Sequence, residues 1–197
     1  MVLDKTALRA LARKTRDALS ADAREKASSA LVQASPFAVQ GQTVSAYFAI
    51  GSEIDPAPLL QAIAAGGAQV ALPVLLDQET MVFRRFEPAA PLVPVGFGTM
   101  GPDADQPAVQ PDLILAPLLA FTSSGQRIGY GKGHYDRALA KLLEHGKRPA
   151  LVGLAFDEQE VASFPREAHD IPLDGVLTPQ RLRLFQGGRE ALAPFLP

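Results

Sequence analysis

Five short apolar runs, at residues 43–50, 69–73, 112–117, 150–155 and 175–178, constrain this chain more than any other feature of its sequence. Each has the length of a strand and is largely apolar at successive rather than alternate positions, so both of its faces must be covered. Helix signals fill the intervals. Asp4 is placed to cap a helix over 4–19 with Leu8, Leu11 and Leu19 on an apolar stripe, and Ser20 to cap a second reaching about Ala34. Asp55-Pro56 opens a third that ends near Gly66-Gly67, and further helices are expected at 134–145, around 157–162 and near 188–195, the 134–145 helix burying Tyr135, Leu139, Leu142 and Leu143. One more strand is expected at 81–86. This alternation specifies an α/β chain with a three-layer, Rossmann-like arrangement and a largely parallel central sheet. The proline-rich stretch 87–111 reads as an elaborate connection between strands of one sheet, so a single domain over 1–197 is expected.

Composition narrows the chemistry. The 197 residues contain no cysteine, which excludes disulfides, thiolate metal sites, iron–sulfur clusters and thiol nucleophiles. The charged start, Met1-Val2-Leu3-Asp4-Lys5, is unlike a signal peptide, and no run approaches the ~18 apolar residues of a membrane helix, so a cytoplasmic protein is expected. The formal net charge of −2 argues against a general polyanion binder, but the charge is segregated. Seven of 19 basic residues lie within 1–26 and six within 127–148, and only Arg84 and Arg85 interrupt the stretch between Lys26 and Arg127.

The second basic segment holds the most informative motif, Arg127-Ile128-Gly129-Tyr130-Gly131-Lys132-Gly133-His134-Tyr135-Asp136-Arg137. Glycines at alternate positions let backbone amides approach an anion, and the helix that follows adds the positive end of its dipole. The loop matches neither the P-loop nor the dinucleotide fingerprint. Arg127, Lys132 and Arg137 supply cations, and Asp136 supplies a carboxylate suited to magnesium, although a plain glycine turn with Asp136 at a helix start is the simpler alternative. In the first segment, Lys5, Arg9, Arg13 and Arg16 stack along one helix face. Without interleaved aromatics or any tryptophan, that stripe suits a small polyanion better than nucleic acid. Glu53 follows the 43–50 run, where it could accept paired hydrogen bonds from an amino-pyrimidine edge such as a pterin's, or serve as an ordinary loop residue. Asp170 is a second candidate metal ligand or a turn residue, while His134, His145 and His169 lack the spacing of a helical zinc site.

With these residues in view, the chain resembles the 5-formyltetrahydrofolate cyclo-ligases. The likeness runs through Lys5-Thr6-Ala7-Leu8-Arg9, Tyr47 to Glu53-Ile54, Met81-Val82-Phe83, Asp112 to Pro117, the Arg127–Arg137 loop, Gly153 to Gln159, His169-Asp170, Asp174 and Thr178. It implies a fold of the sugar-phosphate isomerase and CoA-transferase type. It also implies magnesium- and ATP-dependent closure of 5-formyltetrahydrofolate to 5,10-methenyltetrahydrofolate, through a phosphorylated formyl group. By the same resemblance Lys5, Arg9 and Arg127, Ile128, Gly129, Tyr130, Gly131, Lys132, Gly133, His134 and Tyr135 would contact ATP, with Arg127 and Lys132 acting on the reacting phosphate. Arg9, Phe48, Glu53 and Tyr130 to His134 would border the folate, and Asp136 and Asp170 would hold magnesium. The partners implied are small molecules, with no nucleic acid or membrane, and a monomer is expected.

The chain departs from the family pattern at Thr122, where an aspartate is usual, at Gly101, where glutamate is usual, at Val74, often basic, and at His134, more commonly tyrosine. These departures keep open a paralogue of the same fold that binds folate or nucleotide without catalysing.

Overall fold

The computed structural model describes residues 4–95, 99–165, 167 and 170–197. Asp4 caps α1 (Lys5–Asp17) by accepting from the Ala7 amide at 2.7 Å, and Ser20 caps α2 (Ala21–Ala34) by accepting from Ala23 at 3.2 Å. Strand β1 (Thr43–Ser45) is shorter than the apolar run that announces it. Beyond Ala46 the chain leaves the ladder, and Phe48 and Ile50 are about half exposed (48% and 51%). Asp55 then accepts from the Ala57 amide at the start of α3 (Ala57–Ala65).

Strands β2 (Gln69–Leu75) and β3 (Met81–Arg85) form a hairpin. The proline-rich connection holds short strands rather than none: β4 (Val93–Pro94), β5 (Met100–Gly101) and β6 (Ala108–Val109). Then follow β7 (Leu113–Pro117), a small hairpin of β8 (Ala120–Phe121) and β9 (Arg127–Ile128), α4 (His134–Glu144) and β10 (Ala150–Leu154). A 3-10 turn at Asp157–Gln159 replaces the helix expected over 157–162. The chain continues through β11 (Gly175–Leu177), β12 (Leu182–Leu184), α5 (Gly188–Leu192) and a final 3-10 turn.

Among the described residues, eight strands join one sheet in the order β12-β11-β10-β7-β1-β2-β3-β6. The five from β11 to β2 are parallel, and the outer strands are antiparallel additions. Successive residues of the central strands point to opposite faces and both are packed. Leu113 and Leu115 of β7 join a core with Leu31 of α2, Leu59, Leu60 and Ile63 of α3 and Leu192 of α5, while Ile114 and Ala116 pack with Ala138, Leu139 and Leu142 of α4. That is the three-layer arrangement the apolar runs require. A third cluster seats Leu8 and Ala12 of α1 against Leu119, Ala120 and Ile128.

Two expected core positions are on the surface. Leu11 and Leu143 are 51% and 45% exposed, because each lies one position off the row its helix buries: Leu8, Ala12 and Arg16 in α1, and Ala138, Leu139 and Leu142 in α4.

Candidate functional site

The order of the parallel strands reverses between β1 and β7: from β1 the chain steps to β2 on one side, and from β7 to β10 and β11 on the other. A crevice at the carboxyl ends of strands flanking such a reversal is the usual ligand site of open α/β sheets. Pro117 at the end of β7 lines a basin of about 320 Å³ there. The remaining walls come from Lys5 and Arg9 of α1, the whole of Arg127 to Arg137, and Glu167 and Asp170. The two basic segments therefore meet, although more than a hundred residues separate them in sequence.

Positive φ angles at Gly131 (86°) and Gly133 (65°) shape the loop, and Gly133 directly precedes α4, so the amides at the start of that helix face the basin. At Gly131 a β-carbon would stand 3.0 Å from Arg9 Cζ. The Arg9 Nε donates to the Gly129 carbonyl at 3.1 Å, fixing its guanidinium beside the loop. His134 sits at hydrogen-bond distance, 3.0 Å, from the Gln78 carbonyl, and Arg137 Nε donates to the Glu79 carbonyl at 3.0 Å, so the β2–β3 turn braces the outer side. Lys132 is exposed at the rim, and Tyr130 is 39% exposed.

Both candidate metal ligands are present and both are paired with cations. Arg127, with 7% of its side chain exposed, donates from Nη2 to Asp136 Oδ1 at 2.6 Å and from Nη1 to the Ile171 carbonyl. The Ile171 amide reaches the same Oδ1 at 3.2 Å. Lys5 Nζ lies 2.8 Å from Asp170 Oδ2 and 3.1 Å from Glu167 Oε1. Burial pulls the Lys5 ammonium down, but the hydrogen bonds and charges of Asp170 and Glu167 outweigh it and hold its pKa above the ordinary lysine value. Two carboxylates in one basin beside lysine, arginine and glycine-loop groups suit magnesium, which takes few protein ligands and keeps places for other oxygens. Among the described residues no cluster of three or more histidine or acidic ligands exists, so a cage made wholly of protein is not present there. His169 lies outside the described residues.

Glu53 and Phe48 stand apart from the basin walls. Glu53, 7% exposed, is behind Tyr130, whose hydroxyl donates to Oε1, while the Ile50 amide donates to Oε2 at 2.8 Å. Burial raises the Glu53 pKa above the usual glutamate value, opposed by the hydrogen bonds from Tyr130 and Ile50 and by the Arg16 charge. The Tyr130 phenol is pushed well up by burial and by Glu53. Phe48 lines a separate, largely apolar cavity of about 350 Å³ with Tyr47, Leu60, Leu72 and Phe86. Tyr130 is thus the link between Glu53 and the glycine loop.

The basic stripe of α1 divides in two. Lys5 and Arg9 reach the basin, whereas Arg13 and Arg16 flank the Tyr130 ring, each guanidinium 5.7 Å from its centroid. Arg16 is 3% exposed, an unforeseen burial whose signal was its place after Leu8 and Ala12 on the helix's inner row. The Tyr135 hydroxyl, in the basin wall, is buried without a partner among the described residues. Thr122 takes over a turn-forming role, accepting from the Gln126 amide at 3.2 Å. Val74 and Gly101 are neighbours: a β-carbon on Gly101 would meet Val74 Cγ2 at 3.3 Å and Val95 at 3.0 Å, so this apolar contact stands where polar residues were expected.

No described helix is long and apolar enough to cross a membrane. The sequence model of the 5-formyltetrahydrofolate cyclo-ligase family matches residues 2–179. A 5-formyltetrahydrofolate cyclo-ligase of Escherichia coli K12 is 35% identical over 153 residues, covering 75% of this chain and 83% of that one. The structure of a 5,10-methenyltetrahydrofolate synthetase from Aquifex aeolicus superposes with a TM-score of 0.75 at 29% identity, covering 92% of this chain and 93% of that one. One from Mycoplasma pneumoniae, at 21% identity and a TM-score of 0.71, covers 90% and 99% and shares the fold. The chain belongs to the 5-formyltetrahydrofolate cyclo-ligase family of enzymes.

Proposed function

We propose that residues 1–197 act as one domain that closes 5-formyltetrahydrofolate to 5,10-methenyltetrahydrofolate at the expense of magnesium-ATP, releasing ADP and phosphate. The observation that carries this reading is the meeting of Lys5 and Arg9 with the Arg127–Arg137 loop around one basin that also holds Asp136 and Asp170. A metal-bound polyanion would use all of these groups together: amides and cations for phosphate oxygens, carboxylates for the metal.

In the reaction the formyl oxygen attacks the γ-phosphorus, the bond to ADP breaks, and an imidate phosphate forms. The neighbouring amine nitrogen then attacks the former formyl carbon, phosphate leaves from that carbon, and the amine proton departs with it. The chain's part is positioning and charge stabilisation. Amides of Gly129 to Tyr135, with Lys5 and Arg9, would cradle the triphosphate, and Arg127 and Lys132 would face the phosphoryl group in transfer. Asp136 and Asp170 would hold magnesium, which neutralises phosphate charge when bound. Arrival of the triphosphate gives Arg127 and Lys5 new anionic partners and frees the carboxylates they now pair with. Tyr130 to His134 and Phe48 would border the folate, and Glu53, its Tyr130 bond exchanged, would accept from the amino-pyrimidine edge. No protein nucleophile is required, in keeping with a chain without cysteine. We read the protein as a cytoplasmic monomer acting on these small molecules.

The test is direct: purified protein mixed with 5-formyltetrahydrofolate and magnesium-ATP is followed by the methenyl absorbance and by ADP release. Stoichiometric appearance of both is the expected result, and binding without either would leave the non-catalytic paralogue.

A further inference from the structure

Arg16 is buried to 3% exposure, yet the stripe that contains it otherwise reaches the solvent or the basin. Its Nε donates to Ser52 Oγ at 3.0 Å, and Ser52 in turn donates to Asp17. Its Nη1 is buried without a partner among the described residues. Burying a guanidinium is costly unless its charge faces something that uses it. Ser52 thus links Arg16 to Asp17, and the buried carboxylate next in sequence to Ser52 is Glu53.

We propose that Arg16 is a positioning residue for substrate recognition: tied through Ser52 to the loop that carries Glu53, its buried guanidinium holds the Glu53 carboxylate ionised and seats Tyr130 against it. The role rests on the reading of Glu53 as the contact to the amino-pyrimidine edge. That edge offers two N–H donors: a carboxylate accepts both, whereas a carboxylic acid, itself a donor at one oxygen, accepts only one in the paired arrangement. The groups facing Glu53 come from several elements: Arg16 from α1, Tyr47 beyond β1, Tyr130 from the glycine loop, Tyr135 from α4, and the Ile50 amide. Tyr47 and Tyr135 are held neutral by burial, so Arg16 is the cation among them. Arg13, also 5.7 Å from the Tyr130 ring centroid, is exposed and its charge is screened.

The experiment measures KM for 5-formyltetrahydrofolate and for magnesium-ATP from about pH 6 to about pH 8 in the parent, Arg16→Gln, Arg16→Lys and Ser52→Ala. Without the guanidinium the Glu53 pKa rises further above the usual glutamate value, so folate KM in Arg16→Gln is expected to worsen more steeply than the parent's toward the acid side, by up to about tenfold per pH unit, with kcat and the KM for ATP near the parent's. Arg16→Lys restores most of the profile. A profile parallel to the parent's overturns the proposal. Should Arg16→Gln fail to fold, Ser52→Ala decides, since it loosens the same charge and gives a smaller rise of the same sign, and a flat profile overturns the role. Carbon-13 titration of the Glu53 carboxylate, assigned with Glu53→Gln, needs no substrate: an upward shift in Arg16→Gln is expected and no shift overturns the role. Absence of turnover in the parent overturns the functional reading, and this titration then judges Arg16 by itself.

Discussion

The ion pair of Arg127 and Asp136 joins a structural contact to the role proposed for both residues in the reaction. Arg127 is almost fully buried and spends its donors on Asp136 and the Ile171 carbonyl, joining the start of α4 to the 170–172 segment. Asp136→Asn keeps the shape and one acceptor but leaves the guanidinium without its countercharge. Because Asp136 retains some exposure, the stability loss is expected to be about 1–2 kcal/mol, less than for a fully buried pair. Turnover should fall about a hundredfold or more, with the magnesium concentration needed for half-activity raised; thermal melts and magnesium titrations measure the two effects. Glu53 gives the opposite sign. Its folded pKa is raised, so the folded state holds this proton more tightly than the unfolded chain, and the carboxylate's contribution to stability is lost as pH rises through that folded value. Glu53→Gln removes this dependence. Melting temperatures should therefore shift in the variant's favour, relative to the parent, on going from about pH 4 to about pH 7, while folate KM rises. A difference independent of pH would contradict the assigned burial of charge.

At the scale of elements, the glycine loop and α1 act as a pair. The left-handed φ of Gly131 and the 3.0 Å approach of its missing β-carbon to Arg9 mean that Gly131→Ala strains the loop and displaces the guanidinium together. The backbone cost is about 1–2 kcal/mol, borne by a surface loop, so the KM for ATP should rise about tenfold or more while the melting temperature moves by only a few degrees. Gly153, the fourth of the five residues of β10, is the control for this logic. A β-carbon there would lie 2.5 Å from Leu118 and 3.0 Å from Leu173, both core residues. Gly153→Ala should cost about 1–3 kcal/mol by overpacking and leave both KM values unchanged. Exchanged outcomes for the two variants would mean that the loop is a structural hinge rather than a cradle. Elements also show where the sequence was legible. The central strands were readable because burial on both faces leaves continuous apolar runs, and the helix starts because Asp4 and Ser20 cap locally. β12 and the β8–β9 hairpin were not, since two- and three-residue strands carry no period to detect.

For the whole molecule, the architecture predicts that ligand binding at the proposed site is coupled to folding. The basin is walled by α1 and, more than a hundred residues later, by the glycine loop, Glu167 and Asp170, so a polyanion there would cross-link distant parts of the chain. Magnesium-ATP at about a hundred times its dissociation constant should stabilise the protein by about 2.7 kcal/mol, seen as a rise in melting temperature. Removal of residues 1–18 should abolish that rise as well as turnover; its persistence would show that α1 contributes nothing to the nucleotide site.

The amino-acid sequence specifies the layered parallel sheet and the helix caps, because these follow from local patterns: apolar runs and capping side chains. It also carried the segregation of basic charge. Tertiary structure alone decided how that charge is used. It sent Lys5 and Arg9 into the basin and turned Arg16 inward to Ser52, a division that a row of four basic residues on one helix does not reveal. It placed Glu53 behind Tyr130 and Phe48 in a neighbouring cavity. The physical reason is that burial and the field at a carboxylate depend on which elements pack over it, and those elements come from distant parts of the chain.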